Sequence, residues 1–174
     1  ICYKHSFLSK YFLIKNLILT TNLCLPNCLL FAQNADSSQF YFKKGIEEKD
    51  ARLFAIAAKN FDKAIQFNQN NFQAYVENGK VNLEMRKIDP ALGNFTKAYE
   101  LQPNNSDVIR ELSSLYFNNR QFQKAIDLAQ KCNSCPDADR IIGMSYYNLE
   151  DYAKAINRIQ VAIAKNDKDA EAAY

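Results

Sequence analysis

The sequence predicts an all-α fold, a solenoid of stacked antiparallel helix pairs, and three observations support this prediction. A set of positions recurs every 34 residues, apolar residues recur at three- and four-residue spacing within each copy, and Gly and Pro each occur only four times in 174 residues. So few turn residues argue against an all-β chain. Because one helix pair cannot bury its apolar faces alone, stability must come from stacking neighbouring copies.

The second copy shows the repeated positions most clearly. It carries Tyr75, Gly79, Ala91, Phe95, Ala98 and Pro103. Stepping back 34 residues keeps five of these six positions, and stepping forward meets apolar or small residues. A fourth copy follows a link about four residues shorter. We therefore predict a leader at 1–33 and a repeat array at 34–174, with copies at about 38–71, 72–105, 106–135 and 136–169 and the start of a fifth at 170–174.

Each copy is predicted to form two helices. In the second copy, apolar residues at helical spacing mark one helix over 72–83 and another over 91–99. Asp89-Pro90 is predicted to open the second helix as N-cap and first-turn residue. Gly79 with Phe95 predicts a close helix crossing, because a small residue lets two helices approach and an aromatic ring fills the space beside it.

This period and this order of residues resemble the tetratricopeptide repeat family. The resemblance covers about residues 38–174 and departs in the third copy, which is short after Cys132 and lacks the closing Pro. It implies a right-handed superhelix whose concave groove, lined by the first helix of each pair, receives a segment of another protein. By matching positions, it assigns to the groove Phe42, Ile46, Val76, Lys80, Leu83, Arg110, Ser114, Phe117, Arg140, Met144 and Tyr147.

Such a groove suits a protein segment with apolar side chains and one or two carboxylates, since Arg can donate two hydrogen bonds to one carboxylate. Core packing is the alternative for Phe117, Met144 and Tyr147, and a solvated position is the alternative for Arg110 and Arg140. Some members of the family hold the carboxyl end of a chaperone with a set of Lys, Asn and Arg. The residues at those positions here do not reproduce that set.

The residue types argue against an enzyme. The only histidine, His5, lies in the leader, which excludes Ser/His/Asp and Cys/His arrangements in the array, and the four glycines are isolated from one another. Cys132 and Cys135 have CxxC spacing, but zinc needs about four ligands and the other cysteines lie in the leader. We predict no cofactor and no metal site. For an oxidising compartment we predict a structural disulfide between Cys132 and Cys135.

The charge distribution argues against nucleic-acid binding. The net charge of +3 comes from Lys4, Lys10 and Lys15 in the leader, which contains no Asp or Glu. The array keeps 19 basic and 19 acidic residues. A neutral array lacks the clustered positive field that phosphate binding needs.

The leader resembles a secretory signal peptide, with basic residues first, then an apolar run, then a junction near Ala32. Pro26 and Asn27 interrupt the apolar run, and Leu30 stands where a small residue is expected. A membrane anchor is the alternative, but a span needs about 20 consecutive apolar residues. The leader therefore predicts export to the periplasm or cell envelope, or a cytoplasmic protein if this segment is misassigned.

The function predicted is a non-enzymatic scaffold that binds a protein or peptide partner. The first alternative is a self-associating part of an envelope assembly, because the last full helix would expose Ile156, Ile159 and Ile163 on an uncapped side. The second alternative is the adaptor portion of a longer protein.

Overall fold

The structure, a computed structural model, describes residues 25–132, 135 and 137–172, with side chains from residue 34 to residue 165 within those ranges. In these ranges the backbone forms eight helices and no strand. Their bounds are α1 Leu25–Asp50, α2 Phe54–Phe67, α3 Phe72–Glu84, α4 Ile88–Leu101, α5 Ser106–Asn118, α6 Phe122–Ala129, α7 Ala138–Asn148 and α8 Tyr152–Ala172. The first 24 residues of the predicted leader lie outside the described residues.

Consecutive helices pack as four pairs, α1/α2, α3/α4, α5/α6 and α7/α8, and each pair packs on the next. The predicted all-α solenoid of helix pairs is confirmed. A large apolar core runs through the second, third and fourth pairs, with Phe95 and Leu112 fully buried in it. A smaller core around Phe61 joins the first pair to Val81 of the second.

The two helices of each pair cross at one small residue. A Cβ placed on Gly79 would lie 2.7 Å from the Phe95 ring, and a Cβ on Gly45 would lie 2.7 Å from the Phe61 ring. In the fourth pair, a Cβ on Gly143 would lie 2.8 Å from Ile159 Cγ1. The third pair has Ser113 and Ala129 at the same positions. At these crossings, the larger side chain of one helix thus faces a smaller residue of the other helix. The close crossing predicted from Gly79 is confirmed.

The turn inside each pair contains one residue with a left-handed backbone. These residues are Arg52, Arg86, Arg120 and Glu150, with φ between 57° and 63°. In the second pair, Lys87 N donates to Asn82 O and Arg86 N donates to Leu83 O, each at 2.8 Å. This pattern satisfies carbonyl groups at the end of α3, and it usually places Gly at the left-handed residue. Here the same geometry is reached without Gly in all four pairs.

The starts of α3 and α5 are capped by asparagines. The Asn71 side chain accepts from Ala74 N and the Asn105 side chain accepts from Val108 N, each at 3.1 Å. The predicted start of α4 at Asp89-Pro90 was wrong, because the turn after α3 ends at Lys87 and α4 begins directly at Ile88. Pro90 is still in the first turn, where a missing backbone N–H leaves no intrahelical bond unmade.

The third pair is irregular, as its short repeat predicts. α6 ends at Ala129 after 8 residues, whereas α2 and α4 each have 14. Cys132 and Cys135 form a disulfide with an S–S distance of 1.98 Å, and both residues are buried in the large core. The Cys135 sulfur lies 3.3 Å from the Ser106 carbonyl oxygen at the start of α5. The disulfide thus occupies the place of the last turn of α6, between the third and fourth pairs.

Two predicted boundaries lie inside helices. α1 runs through the junction between leader and array at residues 33 and 34, and α8 runs through 169 and 170, where a fifth copy was predicted to start. No Pro or Gly occurs at 27–44 or at 152–172, so no residue in either stretch breaks the helix. Within the described residues, the fifth copy has no helix of its own.

The crossing contact predicts opposite effects for the same substitution at two glycines. Gly79→Ala should destabilise the array by about 1–3 kcal/mol, because the new methyl group meets the Phe95 ring. Gly93→Ala should stabilise it by up to about 1 kcal/mol, because Gly93 lies inside α4 with no atom within 4 Å of a Cβ. Urea unfolding of both variants measures the two changes, and equal effects would contradict the packing described.

Candidate functional site

A cavity of about 220 Å³ lies between α3 and α5, the first helices of the second and third pairs. Its apolar lining comes from Phe72, Val76, Phe95 and Val108. Polar and charged side chains form the rest of the lining: Gln73, Lys80, Asn105, Asp107, Arg110 and Glu111. An apolar floor with charged groups around it is the usual composition of a site that holds a side chain of a ligand.

Three of the residues assigned to the groove by the repeat register meet in this cavity. Val76 is 8% exposed and lies in the floor, while Lys80 and Arg110 line the sides from α3 and α5. Val76 and Lys80 belong to one copy, and Arg110 belongs to the next copy, 34 positions after Val76.

Other predicted groove residues pack onto the cores. The Phe42 ring lies 5.8 Å from the Phe61 ring, and Leu83 and Phe117 pack partly buried against the large core. The last pair differs, because Met144 and Tyr147 are exposed there. Core packing therefore describes Phe117 but not the two residues of α7.

The basic residues of the predicted groove are already paired with acidic residues on their own helices. Lys80 Nζ lies 2.7 Å from Glu77, Arg110 lies 3.6 Å from Asp107, and Arg140 lies 3.1 Å from Asp137. Each acidic residue precedes its partner by three positions, one helical turn. The Arg110 and Arg140 pairs are exposed, and such pairs stabilise by about 0–1 kcal/mol, so a ligand can displace them at small cost, whereas Glu77 is buried.

The charges nevertheless differ along the cavity. On one side, Lys80 lines the cavity from α3, and the Glu77 that it binds at 2.7 Å also binds Lys49 of α1 at 2.7 Å, which leaves one excess positive charge beside the cavity. On the other side, Arg110 is shared by Asp107 and Glu111, which leaves one excess negative charge. The cavity therefore has a positive side toward the first pair and a negative side on α5.

Glu77 is the most buried of these acidic residues. Burial alone would raise the pKa of its carboxyl group, but hydrogen bonds from Lys49 and Lys80 outweigh burial and hold the pKa below its ordinary value of 4.5. Glu77 therefore stays ionised at neutral pH and joins α1 to α3 through Lys49.

Sequence reasoning missed the acidic residues of the site. Asp107 and Arg110 stand three positions apart, so their pairing could have been read from helical spacing. Lys49 and Glu77 belong to different copies and lie 28 positions apart, so no local sequence pattern predicts their contact.

No metal-binding group is found in the part of the chain that the structure describes: His, Cys, Asp and Glu side chains nowhere cluster there in sets of three or more that could hold an ion. Across the same residues, no helix combines the length and apolar composition that crossing a membrane requires.

Comparison with known proteins places the chain in a family. A family model described as "Anaphase-promoting complex, cyclosome, subunit 3" matches residues 84–174, just over half of the chain. The chain belongs to this family. The match covers α4 and the third and fourth pairs, including the α5 side of the cavity. No curated protein sequence matches the chain.

Solved structures show the same fold at low sequence identity. A crystal structure of MamA is 21% identical, with a TM-score of 0.71 and coverage of 83% of this chain and 86% of MamA. YrrB, described as a TPR protein with an unusual peptide-binding site, is 18% identical, with a TM-score of 0.67 and coverage of 86% and 81%. The helix pairs are therefore repeats of the tetratricopeptide type.

The paired Glu77 predicts a pH-dependent contribution to stability. Since folding lowers its pKa, this contribution is present above pH 4.5 and is lost as the pH falls through the lowered folded value. Glu77→Gln should cost about 1–2 kcal/mol at neutral pH and should make the acid limb of stability less steep. Urea unfolding across a pH series measures both effects.

Glu100→Gln is the matched control, because Glu100 pairs with Lys97 on the exposed surface of α4. This variant should change stability by less than about 0.5 kcal/mol. If the two variants lose equal stability at neutral pH, the buried position of Glu77 has no special role.

Proposed function

We propose that the protein is a non-enzymatic scaffold that holds a segment of a partner protein in the cavity between α3 and α5. The observation that carries this proposal is the meeting of Val76, Lys80 and Arg110 around one apolar floor. The fold shared with YrrB, whose structure is described as having an unusual peptide-binding site, supports the same function.

The charges of the cavity define the segment that fits. An apolar side chain of the partner would occupy the floor at Phe72 and Val76. Because Lys80 lines the cavity and shares one carboxylate with Lys49, an acidic residue of the partner would bind Lys80 on that side. Because Arg110 is shared by Asp107 and Glu111, a basic residue of the partner would bind on the other side. The proposed ligand is therefore an acidic–apolar–basic segment.

Peptides selected from a random displayed library test this proposal. Binding peptides should share the acidic–apolar–basic order, and Lys80→Glu should weaken them at least about tenfold, which corresponds to about 1.4 kcal/mol. Glu111→Lys should favour peptides with the basic residue replaced by an acidic one. Fluorescence anisotropy of labelled peptides gives the affinities.

Lys97→Glu is the control, because Lys97 pairs with an acidic residue at the same spacing as Lys80 but lies on α4, away from the cavity. This variant should leave peptide affinity unchanged. Peptides that bind equally well to the wild type and Lys80→Glu would exclude the cavity as the binding site.

We further propose that the protein is exported and that the first 33 residues are its cleaved leader. The order of basic, apolar and polar residues supports this proposal, and so does the compatibility of a buried disulfide with an oxidising compartment. Cleavage near Ala32 would keep the α1 residues that pack on α2, such as Ser38 and Gly45.

Export predicts the redox state of the two remaining cysteines. Cleavage after Ala32 removes Cys2, Cys24 and Cys28, so an alkylating reagent would report on Cys132 and Cys135 alone. The exported chain should take up no alkyl group until it is reduced, and two groups afterwards, as measured by intact mass. Reduction should cost about 2 kcal/mol of unfolding free energy for so short a loop. Two free thiols in exported protein would contradict the disulfide between Cys132 and Cys135.

A further inference from the structure

The disulfide between Cys132 and Cys135 packs against α5, the helix that forms one wall of the cavity between α3 and α5. Both cysteines are buried, at 7% and 5% exposure. They close the link between the third and fourth pairs, and they lie on another side of α5 from the cavity. The disulfide can therefore act on the cavity through this one helix.

The first contact is at the start of α5. The Cys135 sulfur lies 3.3 Å from the carbonyl oxygen of Ser106, the first residue of the helix. The neighbours of Ser106 in the chain, Asn105 and Asp107, both line the cavity. Asn105 also caps α5 by accepting a hydrogen bond from Val108 N. A displacement of Ser106 would therefore also displace two residues of the cavity wall.

The second contact is one turn further along α5. There, Ile109, Arg110 and Ser113 face the two cysteines across a gap that is too narrow to hold water. Arg110 also lines the cavity, so it belongs to both surfaces. Because protein interiors are close-packed, a movement on one side of α5 is transmitted to the other side.

Reduction changes the space that the two sulfurs require. A dithiol attacks one sulfur to form a mixed disulfide, and its second thiol then closes the reductant's own disulfide and releases Cys132 and Cys135 as thiols. Two electrons and two protons pass from the dithiol to the protein. The sulfurs, no longer bonded, move apart to van der Waals contact. The narrow gap beside α5 leaves no room for this movement unless the neighbouring residues shift.

The two walls of the cavity differ in their relation to the disulfide. The gap beside the cysteines is bounded by residues of α5, α6 and α7. The other wall of the cavity belongs to α3 in the second pair, where Lys80 is held by Glu77. Loss of the disulfide should therefore change the α5 side of the cavity and leave the α3 side as it is.

We propose that the disulfide between Cys132 and Cys135 positions the α5 side of the cavity, so that the oxidised protein binds the partner segment more tightly than the reduced protein does. This inference rests on the proposed function, since it concerns the same cavity. Asp107 and Glu111, which would bind the basic residue of the partner, both lie on α5. The affinity lost on reduction is therefore the part that the basic residue supplies.

Peptide affinity in the two redox states tests this coupling. The full chain with Cys2→Ser, Cys24→Ser and Cys28→Ser keeps only the two cysteines of the disulfide. A peptide selected on the oxidised protein should bind about tenfold more weakly after reduction by dithiothreitol, as measured by fluorescence anisotropy. The same peptide with its basic residue replaced by alanine should bind both states equally, which separates a local effect from a general loss of structure.

Two further measurements use the protein itself. Because coupling between two sites is reciprocal, saturating peptide should shift the reduction equilibrium in dithiothreitol buffers about tenfold toward the disulfide. Alkylation followed by intact mass counts the thiols. Without peptide, amide hydrogen exchange should become faster in α5 on reduction and stay unchanged in α3.

Gly45→Ala is the matched control for lost stability. The new methyl group crowds the Phe61 ring in the first pair, away from the cavity, and the disulfide is kept. This variant should bind the peptide as tightly as its parent.

Two results would overturn the positioning role while leaving the proposed function intact. One is equal affinity of the selected peptide for both redox states, and the other is equal weakening of the two peptides on reduction. A protein that binds no peptide in either state contradicts the proposed function, and hydrogen exchange then decides the inference alone. Faster exchange confined to α5 supports the positioning of that helix, and unchanged exchange overturns it.

Discussion

The close crossing of the two helices in each pair is the contact on which the rest of the array depends. Gly45 and Gly79 bring the helix axes together until an aromatic ring touches backbone, and the third pair has Ser113 and Ala129 at the corresponding positions. Because each crossing fixes how far its two helices stand apart, each pair presents a similar surface to the next pair. The first helices of neighbouring pairs consequently line up, and the cavity between α3 and α5 follows from that alignment.

The helix pairs could be predicted because the crossing residues recur at fixed distances, and the packing they require does not depend on the rest of the chain. Helix ends were harder to predict. α4 starts at Ile88 because the left-handed Arg86 ends the preceding turn, whereas the sequence predicted a start at Asp89-Pro90. α8 passes through the predicted start of a fifth copy because that stretch resembles a repeat in composition but contains no residue that ends a helix. Composition and periodicity identify helices better than they place their ends.

The site was predictable to the extent that it follows the repeat register. Val76, Lys80 and Arg110 occupy matching rows of neighbouring first helices, so the register alone assigns them to one surface. Basic residues were expected there as anchors for a ligand, and the structure pairs each of them with an acid that the prediction did not consider. Phe117 occupies a groove position in the register, yet its side chain turns to Phe122 with the ring centroids 5.7 Å apart. The repeat register predicts which side of its helix a residue occupies. Local packing then decides whether its side chain can contact a ligand.

The interfaces between pairs differ in kind, and this difference bears on what a bound partner does. The first pair meets the second through the small core at Phe61 and Val81 and also through polar contacts: Lys49 binds Glu77, and Asn78 donates to Asp62 at 2.7 Å. The later interfaces bury Leu112 and Ile142 instead. A hydrogen bond stabilises by about 0.5–1.5 kcal/mol net, whereas burying a large aliphatic side chain contributes about 1.5–3 kcal/mol, so the polar contacts are the smaller part of what holds the first pair. A segment in the cavity would contact Lys80 of the second pair and Arg110 of the third, and Lys80 shares Glu77 with Lys49 of the first pair. Its binding energy would then add to the junction between the second and third pairs, because a ligand stabilises whichever state it binds.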